Sequence, residues 1–114
     1  MIEKTILDYL TSNLDVPVYM ERPEEVPDSW VLIEKTGSGF SRRGCLFTAM
    51  IAVQSYAPSM YEAAVLNEQV RDLMLAIAGS EGDVTRCELN SDYNFTDTTT
   101  KEYRYQAVFD MTHY

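Results

Sequence analysis

Any chemistry in this chain would have to be assembled from few groups. There is one histidine, His113, and two cysteines, Cys45 and Cys87; carboxylates cluster at Glu24/Glu25/Asp28 and at Glu81/Asp83. A Cys–His nucleophilic pair needs a poised, partly exposed thiolate. Both cysteines instead fall on the core parity of the strands that carry them and read as small buried hydrophobes. His113 stands one residue from the end of the sequence, where fraying is expected. Two cysteines without a companion motif make a poor zinc signal. Acid–base or metal work needs carboxylates that converge in a cleft, and these flank prolines or glycines, which is solvated turn chemistry. Asp92, Asn94 and Asp97 have the flavour of a calcium loop but lack its glycine and closing glutamate. Gly37-Ser38-Gly39 lacks the third glycine, or the Gly-Lys-Ser/Thr ending, of a phosphate cradle, and a strand follows it. The expectation is no enzyme, no metal and no cofactor.

Binding groups are easier to find. Arg42 and Arg43 sit side by side next to Phe40 at an expected loop tip, in a chain with nine basic and eighteen acidic residues. Arginine and aromatic side chains are enriched at protein interfaces, and guanidinium suits carboxylate pairing. Tyr93 and Phe95, expected in a loop, and Tyr114 are aromatics that core packing does not absorb, and Tyr anchors interfaces at low entropic cost. Candidate contact residues are therefore Phe40, Arg42, Arg43, Tyr93, Phe95 and Tyr114; for the two arginines, residue type alone leaves ordinary solvated loop charge equally open. The net charge of −9 argues against wrapping nucleic acid, which rests on neutralising phosphates.

These groups need a frame. At 114 residues and 46% hydrophobic content the chain reads as one domain, 1–114, able to bury a core without metal or disulfide. Ile2, Ile6, Tyr9/Leu10 and Leu14 recur at helical spacing and predict a helix over 1–14, ended before Pro17. A short edge strand follows at Val18–Met20, then a Pro/Glu loop. A central strand is expected from Trp30 to Lys35, a glycine-punctuated connection at 37–44, and a long strand from Cys45 to Tyr56 with Cys45, Phe47, Ala49, Ile51 and Val53 on one face. Ser59 and Glu62 form a capping box that opens a helix to about Ala78. Strands at 84–89 and 101–113, joined by a polar loop at 90–100, complete the order α-β-β-β-α-β-β. The fold class is α+β: a single, mostly antiparallel sheet with two main helices packed on one face. The expected core includes Ile6, Leu10, Leu32, Phe47, Ile51, Val53, Leu66, Val70, Leu73, Tyr105 and Phe109.

The opening "MIEKTILDYL" and "VPVYMERPEEVP", with "LNSDYNFTDT" running into "EYRYQAVFDMTHY", resemble small tail-completion or tail-terminator proteins of long-tailed phages and prophages. The resemblance implies a structural virion protein that caps the tail tube and joins it to the head. It implies self-association in a hexameric ring, with the tail tube protein and head connector proteins as partners and DNA only as passing cargo. It also tips Arg42 and Arg43 towards contact with a neighbouring subunit or tail protein, with acidic acceptors in a ring sought among Glu81, Asp83, Glu102 and Asp110. A head-side neck or adaptor protein is the alternative within that class; a small α+β ligand-binding module is the alternative outside it. Glu3, Lys4 and Asp8 interrupt any signal-peptide core and no run is long enough to span a bilayer. The expected location is therefore the host cytoplasm, then the virion, with no membrane partner.

Overall fold

The structure, a computed structural model, describes residues 1–41 and 44–114. Helix α1 (Ile2–Asn13) buries Ile2, Ile6, Tyr9 and Leu10 on one stripe. Leu14 is already extended, as the approach to Pro17 requires. The Pro17 carbonyl then accepts from the Val31 amide at 2.9 Å, seating β1 (Val18–Tyr19) parallel to the start of β2 (Trp30–Ser41). Strand β3 (Leu46–Ala57) returns antiparallel to β2. Helix α2 (Met60–Leu75) begins at Ser59, whose hydroxyl accepts from the Glu62 amide at 3.2 Å as the capping box predicts. A single turn, α3 (Ile77–Ser80), leads to β4 (Val84–Asn94) and β5 (Tyr103–His113). The five-stranded sheet has the order β1-β2-β3-β5-β4; β1 is its one parallel member. This is the α+β arrangement expected, with the helices against the sheet and a second break near residue 76 that splits the long helix.

The core lies between helices and sheet. Ile6, Leu10, Val70 and Met74 meet Ile33, Ile51, Val53 and Phe109, all buried. The Tyr9 hydroxyl donates to the Leu73 carbonyl at 2.7 Å and locks α1 to α2; burial pushes the Tyr9 pKa up.

Several expectations are corrected. Residues 37–41 are not a connection: Gly37 pairs with Met50, Ser38 with Ala49, Gly39 with Thr48 and Phe40 with Phe47, beyond a bulge at Thr36. Asn90–Asn94 likewise belong to β4, held by β5 despite poor strand propensity. Cys45 is exposed in the turn at φ 52, in the left-handed region, rather than buried in a strand. Phe47 has the expected parity but is 48% exposed, because the sheet runs on past the helices that would cover it. Leu32, Leu73 and Tyr105 are half-buried. Among the described residues no helix is long and apolar enough to cross a membrane.

Candidate functional site

The molecule measures 46 × 25 × 25 Å, and its long axis exposes the two ends of the sheet to different surroundings. At one end β2 and β3 close as a hairpin arm, with β5 alongside β3 as far as Phe47. Phe40, Phe47 and His113 stand in one cross-strand row: the phenyl centroids are 4.9 Å apart and Phe47 stacks on His113 at 5.7 Å. This row shares the helix-facing side of the sheet yet lies beyond helix cover. Gly39 on the other side allows a close approach to Thr48, since a Cβ there would sit 2.8 Å from its hydroxyl. The Tyr114 amide donates to the Asp83 carbonyl at 2.9 Å, so the chain end is tied to the sheet rather than frayed.

At the other end, on the face away from the helices, the aromatics are already satisfied. Trp30 stacks on Tyr56 at 4.1 Å, with Arg22 above both rings. Arg104 lies 4.4 Å from the centre of Phe95 and donates to the Tyr56 hydroxyl at 3.1 Å. Tyr56 in turn donates to Gln54 at 2.6 Å, Gln54 to Gln106 at 2.9 Å, and Gln106 to the Tyr93 hydroxyl. Glu102 accepts a two-pronged pair from Arg22 at 3.1 and 2.6 Å. The hydrogen bonds from Arg22 hold the Glu102 carboxyl below its ordinary range.

Of the residues singled out from sequence, Phe40 is in the arm at 55% exposure and Tyr114 is exposed near the same end. Tyr93 and Phe95 belong to the opposite end, partly exposed and packed edge-on against each other at 5.8 Å. Arg42 and Arg43 lie outside the described residues. Glu102, one expected acceptor for them, is already paired with Arg22, and Asp110 accepts from Asn90 at 3.0 Å. Cys87 is half-buried against the core, and burial, reinforced by the charges of Asp110 and Glu88, pushes its thiol up to about 12, which leaves it protonated and unreactive at neutral pH. Among the described residues no three His, Cys, Asp or Glu side chains converge as a metal set.

Sequence reasoning missed Phe47 as a surface residue and the whole Arg22–Trp30–Tyr56–Arg104 cluster. The spacing of Phe40 and Phe47 around a short turn is the signal that could have paired them. Nothing local links Arg22 to Glu102, eighty residues away.

No family model and no curated protein sequence matches the chain. Its fold is similar to that of a solved structure, the PVC sheath/tube terminator of an extracellular contractile injection system in the extended state, with a TM-score of 0.54 and 12% identity. The match covers 99% of this chain and 56% of that one, so the likeness is one of fold, carried by a chain that spans little more than half of the other's length.

Proposed function

We propose that this protein is a structural component of a phage-like tail, a ring-forming terminator that caps the tail tube and joins it to the head. The observation that carries the reading is the fold likeness of nearly the whole chain to a sheath/tube terminator. The resemblance of both ends of the sequence to small phage tail proteins points the same way. In this reading residues 1–114 act as one unit and copies associate in a ring of six, a count taken from the resemblance. The tube protein and the head connector meet its two sides, and DNA passes as cargo. A net charge of −9 suits a lumen that must not hold phosphate. The protein would assemble in the host cytoplasm and reside in the virion.

Electron microscopy of particles from a strain lacking the gene tests this. Tubes of uncontrolled length are the expected result. Tubes of normal length that never acquire heads would assign the chain to a neck adaptor instead, and normal infectious particles would overturn both. Arg42→Glu with Arg43→Glu tests the paired arginines as contact residues: association should weaken while the thermal midpoint holds, because solvated charges contribute little to folding. Undiminished association would make them ordinary solvated charge.

A further inference from the structure

Residues 20–29 cross the aromatic end of the sheet with few ties to what lies beneath. The flanking positions are fixed, Tyr19 in β1 and Trp30 in β2, with the two rings edge-on at 5.9 Å. Among the described residues no backbone hydrogen bond joins 20–29 to the rest of the chain, and no residue of the segment belongs to the core. Met20 and Val26 are exposed. The described side-chain ties are those of Arg22. Its guanidinium makes the two-pronged pair with Glu102 and lies over Trp30 and Tyr56, 5.4 and 5.9 Å from the ring centres. Beneath it the stacked rings of Trp30 and Tyr56 are 2% and 4% exposed.

Charge pulls the other way. The segment carries Glu21, Glu24, Glu25 and Asp28 against one cation, Arg22, on a chain whose net charge is −9. Self-repulsion favours lifting it. The half-exposed Arg22–Glu102 pair opposes, and solvent screening keeps such a pair weak. Glu102 also faces Arg104 at 3.8 Å, so its charge stays compensated when Arg22 leaves. Pro23 and Pro27 fix φ at two points and stiffen the segment, which therefore moves as a piece. Few buried apolar contacts and no backbone ladder mark a region that opens locally, below the free energy of global unfolding.

We infer that residues 20–29 are a strap, latched by Arg22 on Glu102, that lifts as a unit while the sheet and helices stay folded and bares the Trp30–Tyr56 stack. Lifting exposes two stacked rings between the Arg104 guanidinium and a freed carboxylate, a surface that the closed form withholds. The strap stands whether or not the chain terminates a tail.

Trp30 is the chain's single tryptophan, so an indole-specific reagent reads the strap. Labelling of the folded protein with 2-hydroxy-5-nitrobenzyl bromide, followed by mass spectrometry, tracks the open population when opening and closing are fast. Glu102→Ala removes the latch and leaves Arg22 free to stay over the rings. It should raise Trp30 labelling about fivefold, the shift a half-exposed ion pair commands. Lys4→Ala, which removes the exposed Lys4–Asp8 pair on α1, should leave labelling unchanged. Low urea should hardly alter labelling of the parent, because lifting a strap exposes little surface, whereas exposure through global unfolding would climb steeply. Unchanged labelling in Glu102→Ala, an equal rise in Lys4→Ala, or labelling that climbs with urea at the slope of global unfolding overturns the inference. Circular dichroism melting checks folding; should Glu102→Ala melt early, Glu102→Gln takes its place.

Discussion

Trp30, at one end of the sheet, is 2% exposed beneath the guanidinium of Arg22, while Phe40, near the other end of the same strand, is 55% exposed against a Phe47 that is itself 48% exposed. Both ends pair aromatic residues across β2 and β3, Trp30 with Tyr56 and Phe40 with Phe47. They differ in what arrives from elsewhere in the chain. Arg22 comes from the loop after β1, Glu102 from just before β5 and Arg104 from its start, to roof the first end; among the described residues no helix covers Phe40 and Phe47 at the second. An aromatic cross-strand pair is therefore a structural element or a contact surface according to its cover, and residue type does not decide which.

Trp30→Ala should break the roofed end with the largest effect. Emptying a stacked, buried indole site costs about 3–5 kcal/mol, read as a lower urea midpoint. Phe40→Ala should cost less than about 1 kcal/mol by the same measurement, as surface substitutions do. Equal losses would mean the arm is packed within the monomer.

The same contrast can be drawn along one strand face. Ile51 and Phe47 share a parity on β3, but Ile51 is fully buried under the helices. Ile51→Ala should cost about 2–5 kcal/mol by leaving a cavity, whereas Phe47→Ala, for all its larger side chain, should cost less than about 1 kcal/mol in the monomer. Denaturation at low protein concentration checks both.

Glu102→Gln sharpens the account of the roof. The Arg22 pair is half-exposed, so solvent screening limits its worth to about 1 kcal/mol. The folded-state carboxyl lies below its ordinary value of 4.5, so this stability is present at neutral pH and is lost as pH falls through the depressed folded value. The gap between parent and variant should accordingly be widest near pH 7 and close in acid. A gap independent of pH would assign the effect to packing of the Arg22 stem.

The smallest perturbation uses the two thiols. Cys45 in the arm's turn should react rapidly with a maleimide at neutral pH, and Cys87, whose thiol stays protonated up to about 12, should react only as the fold opens. Comparable rates would contradict the burial of Cys87.

Much of the frame was legible because its signals are local. Ile2, Ile6 and Leu10 mark a helix face by spacing, Ser59 and Glu62 mark a helix start, and Ala107, Phe109 and Met111 mark an inward strand face by alternation. The arm was hidden because Gly37-Ser38-Gly39 has the composition of a break; only pairing to Thr48, Ala49 and Met50 makes it strand. Residues 90–94 were hidden for the same reason, their strand state being imposed by β5. Helix periodicity, strand parity and capping are thus properties of neighbouring residues, and the chain determined them by itself. Whether a face of the sheet is covered depends on where a helix stops and which distant side chains arrive. Tertiary structure alone decided that Phe47 is surface, that Trp30 is sealed by Arg22, and that the aromatic arm is left without a roof.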